Sequence, residues 1–166
     1  MPWILLVYYS RTWTTKKVAE SIEDFLKCDT EEVIDKKRRR WFFWFLIANR
    51  DAAKRRLTEI QDTKFDPKNY ETVIIGTPVR NFTMSCAIRT YLEQHKQQLP
   101  KRLIFFCTQS SGWGENTFQE MANICRVTPL GKLCIENKDV SNISFEKKIR
   151  DFFTETINRL IYDIKI

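Results

Sequence analysis

Residues 3–15, WILLVYYSRTWTT, pass from a continuous apolar run into a turn crowded with hydroxyl side chains. The apolar part, Trp3 to Tyr9, is typical of a strand that is buried on both faces of a parallel sheet. Beyond the turn, apolar side chains recur at helical spacing from Val18 to Phe25. The stretch therefore predicts a strand, a polar turn and a helix, which is the opening of a βαβ arrangement.

The same alternation continues along the chain. Four more strands are predicted at EEVID (31–35), TVIIGTP (72–78), RLIFFCT (102–108) and KLCIEN (132–137). Helical stripes separate them, and a long amphipathic helix from Phe145 to Ile161 closes the chain. This order predicts one α/β domain over residues 1–166, with a five-stranded parallel sheet that is covered by helices on both faces.

The net charge of +7 is concentrated in one segment. Residues 36–56 hold nine basic residues and one acid, which leaves 19 basic and 20 acidic residues in the rest of the chain. Since the remainder is close to neutral, a general basic surface for nucleic acid is not supported, and we expect no nucleic-acid partner.

The cysteines and the single histidine argue against two classes of site. Five cysteines without a CxxC pair suggest neither a disulfide framework nor a zinc site, so we expect buried, reduced thiols and no metal. His95 lies in the polar sequence EQHKQQ, and no catalytic acid–base residue is predicted.

The distribution of apolar residues predicts a cytoplasmic protein. The longest apolar run, Trp41 to Ala48, is shorter than the roughly 18 residues that a membrane span needs. The first residues lack the basic start and small-residue cleavage site of a signal peptide, so we interpret them as a core strand.

Three of the predicted strands end in polar loops that each contain an aromatic residue: Trp13, Phe82 or Trp113. In an open doubly wound sheet, ligands bind beyond the carboxyl ends of the strands. A hydroxyl-rich turn at a helix start offers backbone N–H groups and the positive end of the helix dipole to an anion. An ordinary helix N-cap made by Ser and Thr is the structural alternative for this turn.

Four ordered segments resemble the flavodoxin family. They are ILLVYYSRTWTTKKVAESI (4–22), YETVIIGTPV with MSCAIRTYL (70–92), LIFFCTQSSGWGENTF (103–118) and the insert DKKRRRWFFWFLIANRDAAKRRLTEI (35–60). The resemblance implies a doubly wound, three-layer fold with strand order 2-1-3-4-5 and a helical insert, residues 36–60, before strand 3. It also implies FMN as the cofactor.

The resemblance places the FMN phosphate in the loop after the first strand and the flavin ring between the loops after the third and fourth strands. The implied phosphate-binding residues are Ser10, Arg11, Thr12, Trp13, Thr14 and Thr15. The implied ring-binding residues are Thr77, Pro78, Val79, Arg80, Asn81, Phe82, Thr108, Gln109, Ser110, Ser111, Gly112, Trp113 and Gly114.

The chain departs from the family pattern inside this site. Trp13 stands where the family has glycine, which is tolerated if its φ is near helical and the indole points outward. Arg80 and Asn81 stand where the family typically has an aromatic residue, so Phe82 is predicted to stack on the ring. A cation about 6 Å from reduced flavin would stabilise it by roughly 2–3 kcal/mol, so we expect Arg80 to ease reduction.

Two functions follow from the sequence. The first is an FMN-binding electron-transfer protein, or a small flavin-dependent reductase with an acceptor such as a quinone; its partner is a redox protein or that acceptor. The alternative is a flavodoxin fold without cofactor that works as an interaction or membrane-docking module through its basic aromatic insert. Residues 36–56 could dock on an anionic membrane surface or an acidic partner, whereas packing of their aromatic face on the sheet is the structural alternative.

Overall fold

The computed structural model describes residues 3–36, 52, 54–110, 112–142 and 144–163. Residues 37–51 and 53, which make up most of the basic aromatic insert, lie outside the described residues, as does the predicted site residue Ser111. The predictions that concern the aromatic face of the insert therefore stay predictions.

The described chain forms five parallel strands and four long helices in alternation. The strands are β1 (Ile4–Tyr8), β2 (Asp29–Glu32), β3 (Thr72–Pro78), β4 (Arg102–Gln109) and β5 (Gly131–Glu136). The helices are α1 (Trp13–Leu26), α2 (Cys86–His95), α3 (Gly114–Cys125) and α4 (Ser144–Asp163). Two short 3-10 helices, Pro67–Asn69 and Asp139–Ser141, lie in the connections.

The sheet order is β2-β1-β3-β4-β5, which confirms the predicted 2-1-3-4-5 topology. Every pairing is parallel, so all five strands end at the same edge of the sheet. The strand order reverses between β1 and β3, because β2 is added on one side of β1 and the later strands are added on the other. In doubly wound folds, ligands bind at this switch point. The loops after β1, β3 and β4 meet there.

Alternation of side chains along the central strands divides the core into two layers. Leu5, Ile75 and Phe105 face the layer formed with α2 and α3, together with Tyr91 and Met121. On the opposite face, Leu6, Ile74, Ile104 and Phe106 pack with Val18 and Ile22 of α1 and with Phe145, Ile149 and Phe153 of α4. Burial on both faces explains why these strands read as continuous apolar runs.

β2 begins two residues earlier than its apolar pattern predicts. The strand consists of DTEE, and its three acidic side chains accept hydrogen bonds rather than pack in an apolar core. The buried carboxylate of Glu31 accepts hydrogen bonds from the N–H groups of Lys64 (2.7 Å) and Phe65 (3.1 Å). Asp29 accepts one from the Tyr70 hydroxyl at 2.7 Å. An apolar pattern cannot identify a strand that is held in this way.

The insert leaves and rejoins the sheet at one place. Asp35 and Ile60 form an antiparallel bridge, and the N–H of Lys36 donates to the carbonyl of Glu59 at 2.8 Å. Buried Thr58 is tied to α2, because its N–H donates to Thr90 Oγ1 at 2.9 Å and its carbonyl accepts from the same hydroxyl at 3.0 Å. Within the residues described, no helix has the length and apolar character needed to cross a bilayer.

Candidate functional site

The loop after β1 presents the uncapped start of α1 to the edge of the sheet. Thr12 is the N-cap residue, with extended backbone (φ −115°, ψ 167°), and its side chain makes no capping hydrogen bond. The first N–H groups of an α-helix have no acceptor within the helix, and they carry the positive end of its dipole. An anion can therefore take the place of the missing cap.

The Ser10 hydroxyl shapes this loop from within. It accepts a hydrogen bond from the N–H of Lys16 at 3.1 Å and donates one to the carbonyl oxygen of Thr12. These two bonds fold the turn back against the first turn of α1. Arg11 and Thr14 are half-buried at the rim of this turn, and Thr12 is exposed.

Trp13 is the first residue of α1 and does not occupy the loop. Among the described non-glycine residues, positive φ occurs at Lys27, Arg55, Asn81, Phe82 and Arg126, and not at Trp13. The indole is 78% exposed. The glycine of the family pattern is therefore not required by backbone conformation here, and the indole is exposed to solvent rather than packed into the loop.

A buried hydroxyl pair joins the start of α1 to the end of β4. Thr15 and Thr108 are each about 2% exposed, and their Oγ1 atoms lie 2.7 Å apart. The carbonyl of Thr108 also accepts the N–H of Val79 at 2.8 Å. Thr15 thus links the start of α1 to the end of β4, and its hydroxyl has an internal partner.

The loop after β3 is a tight turn without glycine. Arg80 and Thr83 exchange two backbone hydrogen bonds (2.7 and 3.1 Å), and the residues between them, Asn81 and Phe82, both have positive φ (45° and 72°). Positive φ at both central residues defines a type I′ turn. For a bulky residue such as Phe82 this conformation is strained, and strain of this kind concentrates at functional sites.

The β3 end itself is packed into the body of the domain. Thr77 and Pro78 are buried. The Thr77 hydroxyl accepts the N–H of Ser85 at 3.0 Å, and Ser85 in turn caps the start of α2. Thr77 and Pro78 therefore anchor the turn, while Arg80 is half-buried and Asn81 and Phe82 are exposed.

The loop after β4 is positioned by the Gln109 side chain. Its Oε1 accepts the N–H of Trp113 at 2.9 Å, and its backbone carbonyl accepts the N–H of Asn137 at 2.7 Å. Ser110 Oγ accepts from the Asn137 amide at 2.8 Å. Gly112 has a φ of +46°, a conformation that favours glycine.

The two ring loops, residues 77–83 and 108–114, meet through their aromatic side chains. The rings of Phe82 and Trp113 lie edge to face, with centroids 4.4 Å apart and planes inclined at 71°. Both side chains remain about half exposed, at 50% and 45%. The pair presents exposed aromatic surface on which a flat ring can stack.

Comparison with known proteins agrees with this geometry. Residues 46–125 match the family model described as a flavodoxin domain. The chain is therefore similar to the flavodoxin family over this segment and has the flavodoxin-like fold. A search of curated proteins gives no match to its sequence.

Solved structures with the same fold cover most of the chain. A Lactobacillus acidophilus NCFM flavoprotein in complex with FMN is 22% identical, with a TM-score of 0.69 over 85% of this chain and 97% of that one. A flavodoxin from the domain Archaea is 15% identical, with a TM-score of 0.52 over 92% and 98%. Two-electron reduced Megasphaera elsdenii flavodoxin is 15% identical, with a TM-score of 0.51 over 81% and 85%.

Arg80 brings positive charge to the candidate site. Its side chain is half-buried, and burial lowers the pKa of its guanidinium. Nearby Tyr9 raises that pKa and nearby Arg11 lowers it further. An arginine pKa remains far above neutrality, so the group is a cation. Arg80 and Arg11 are thus close enough to interact electrostatically beside the helix start.

A charged network that the sequence did not predict braces the turn after β3. Glu120, on α3, accepts hydrogen bonds from the Thr83 hydroxyl, from Arg89 of α2 (2.7 Å) and from Arg55 near the end of the insert (2.8 Å). Arg89 also donates to Thr83 Oγ1 at 2.8 Å. Partial burial raises the pKa of Glu120, but the bonds from Thr83, Arg89 and Arg55 outweigh it and leave the pKa below its ordinary value.

Arg89 is the only residue of this network that is unusual for its place in the sequence. It interrupts the apolar run CAIRTYL of α2, and it is 7% exposed in the folded chain. A buried cation requires a carboxylate partner. Sequence spacing cannot identify Glu120 as that partner, because the two residues lie on different helices.

Proposed function

We propose that this flavodoxin-like protein binds FMN non-covalently at the loops after β1, β3 and β4 and uses it to carry electrons to a redox partner. The observation that carries the proposal is the outward-facing Trp13 indole beside an uncapped helix start. The residue that departs most from the family pattern therefore does not block the phosphate position. The FMN-bound L. acidophilus flavoprotein, with the same fold, supports the choice of ligand.

The residues divide into two binding roles. The N–H groups at the start of α1, with the Thr12 and Thr14 side chains, would bind the phosphate. Phe82 and Trp113 would flank the ring. The type I′ turn fixes the position of Phe82, and Gln109 fixes that of Trp113. Bound FMN supplies reversible uptake of one or two electrons. The protein contributes orientation, partial exclusion of water and the positive charge of Arg80.

Titration of flavin-free protein with FMN tests this proposal. We expect one FMN per chain, quenching of flavin fluorescence and a yellow protein after gel filtration. Riboflavin is the matched ligand control, because it keeps the ring and lacks the phosphate. It should bind at least tenfold more weakly, whereas equal affinity would contradict the phosphate role of the helix start. No heat and no quenching with FMN would contradict cofactor binding altogether.

A small-molecule reductase is the finer alternative for the same site. Phe82 and Trp113 are about half exposed, so one edge of a bound ring would be open to a quinone-sized acceptor. Steady-state oxidation of a nicotinamide donor with and without a quinone distinguishes a reductase from a carrier that reacts only with a partner protein.

We also propose that the basic end of the insert docks on an anionic membrane surface. The described part of this segment, residues 54–57 with sequence KRRL, is exposed, and Leu57 is 54% exposed next to three cations. Exposed apolar side chains flanked by cations are typical of interfacial binding. Co-sedimentation with vesicles containing anionic lipid should fall as salt rises, and absence of binding at low salt would contradict this role.

A further inference from the structure

Two cysteines lie side by side beneath the second ring loop. Cys107 of β4 and Cys134 of β5 are direct partners in the register of the two strands. Their sulfur atoms are 3.3 Å apart, and the Cys107 thiol donates to Cys134. The other three cysteines are Cys28, at the end of α1, Cys86, at the start of α2, and Cys125, at the end of α3.

The backbone geometry of this pair is compatible with a disulfide. Neighbouring strands lie about 4.8 Å apart, and disulfides accept Cα separations of roughly 4.4–6.8 Å. The sulfur atoms have to approach each other by only about 1.3 Å to reach bonding distance. Rotation of the two side chains suffices for a movement of this size.

The two thiols are chemically unequal. Cys107 is fully buried, whereas Cys134 is half-buried. The hydrogen bond from Cys107 lowers the pKa of Cys134, burial opposes this, the Lys148 cation lowers the pKa further and Glu136 raises it. The same hydrogen bond raises the pKa of Cys107, as do its burial, Cys134 and Glu115. Cys134 is therefore the thiol that reacts first.

We propose that Cys107 and Cys134 form a redox-active dithiol that hydroperoxides oxidise to a disulfide. The Cys134 thiolate attacks the peroxide oxygen, the O–O bond breaks, and Cys134 becomes a sulfenic acid. The Cys107 sulfur then displaces the sulfenic hydroxyl, which leaves as water with the Cys107 proton. In sum, two thiols and one hydrogen peroxide give one disulfide and two waters.

The position of Gly114 connects this dithiol to the ring loop. A Cβ built on Gly114 would lie 2.8 Å from Cys134 Sγ and 3.0 Å from Cys107 Sγ, so the first residue of α3 rests directly on both sulfur atoms. Trp113 precedes it and forms half of the aromatic pair. Movement of the sulfurs on oxidation is therefore transmitted to the rim of the proposed FMN site.

Peptide mapping of the flavin-free wild-type protein tests the disulfide without any variant. The reduced protein is treated with a few equivalents of hydrogen peroxide, alkylated, digested and analysed by mass spectrometry. We expect a Cys107–Cys134 cross-link that dithiothreitol reverses, while Cys28, Cys86 and Cys125 remain alkylated. Oxidation without this cross-link would overturn the proposal. Because no flavin is present, the result is independent of FMN binding.

Three variants separate the roles of the two sulfurs. In Cys107→Ser, Cys134 should accumulate as a sulfenic acid that dimedone labels, and in Cys134→Ser, Cys107 should stay reduced. Cys125→Ser is the matched control, because it removes another buried thiol and should keep the cross-link. Equal dimedone labelling of Cys134 in the wild-type protein and in Cys107→Ser would show that Cys107 does not resolve the sulfenic acid, which would overturn the pairing.

A spectroscopic measurement tests the link to the ring loop. Oxidation should change the indole emission of the wild-type protein, and this change should disappear in Trp113→Phe. The same change in both proteins, or none in the wild type, would overturn the coupling between the dithiol and the loop.

Discussion

Replacing Glu120 with alanine should destabilise the domain strongly, although part of the side chain reaches the surface. The substitution removes the acceptor of the Thr83 hydroxyl and leaves the Arg89 guanidinium without its carboxylate. The Arg89 side chain is 8% exposed, so water cannot replace the lost partner. The substitution therefore creates a buried, uncompensated charge under the type I′ turn.

The size of the effect follows from the burial of the two partners. Breaking a buried ion pair by removing one partner costs about 3–5 kcal/mol. Glu120 is itself 21% exposed, which weakens the pair, so we expect a loss of about 2–4 kcal/mol in the free energy of unfolding. Arg55 contacts the same carboxylate, but its side chain is 69% exposed. An exposed pair of this kind contributes roughly 0–1 kcal/mol.

Urea unfolding followed by circular dichroism measures these losses, with Arg55→Ala as the matched control. A loss for Glu120→Ala that is no larger than the loss for Arg55→Ala would contradict the role of the buried Arg89 charge. The double variant Arg89→Leu/Glu120→Leu should lose less stability than Glu120→Ala, because it removes both charges together. An equal or larger loss would mean that packing rather than the unpaired charge dominates.

The pH dependence of the same difference has a definite sign. The pKa of Glu120 is lower in the folded chain than its ordinary value of 4.5. Its contribution to stability is therefore fully present above about pH 4.5 and is lost as the pH falls through the folded-state pKa. Wild type and Glu120→Ala should differ at pH 7 and converge in acid, and a difference that stays constant until the wild type unfolds in acid would argue against this titration.

Three further predictions concern the site and the sheet. Arg80→Ala should lower the two-electron potential for full reduction of bound FMN by about 50 mV, the equivalent of roughly 2–3 kcal/mol for a nearby cation, and redox titration showing no shift would remove this role. Trp13→Gly should change the FMN dissociation constant less than about threefold, because the indole is exposed and the backbone at this position does not require glycine. A tenfold change measured by calorimetry would mean that the indole touches the ligand. Gly76→Ala should lower the free energy of unfolding in urea by about 3 kcal/mol, at the upper end of overpacking effects, because the new Cβ would lie 1.9 Å from the Phe106 ring. Gly112→Ala is the control: it has open space around it and should cost about 1 kcal/mol through its positive φ alone. Equal losses in the two variants would contradict the clash at Gly76.

The local patterns of the sequence determined the framework of this protein. β1, β3 and β4 are buried on both faces, and each appears in the sequence as a continuous apolar run close to its observed bounds. Each buried position requires an apolar residue, so a strand that is buried on both faces can be recognised from the local sequence. The hydroxyl-rich turn and the flavodoxin resemblance then led to the strand order, which the sheet confirms. The predicted bounds of β2 are wrong because its acidic side chains are held by hydrogen bonds rather than by apolar packing: Glu31 accepts from backbone N–H groups, and Asp29 accepts from the Tyr70 hydroxyl.

The contacts that hold the candidate site together are visible only in the folded chain. Thr15 meets Thr108 across 93 positions, Glu120 meets Arg89 across 31, and Cys107 meets Cys134 across 27. Each contact depends on strand register and on the rotation of a helix against the sheet, which no local periodicity encodes. Asn81 and Phe82 adopt positive φ although neither is glycine, so the sequence gives no sign of this turn. The backbone bonds between Arg80 and Thr83 and the network at Glu120 hold the turn in this conformation.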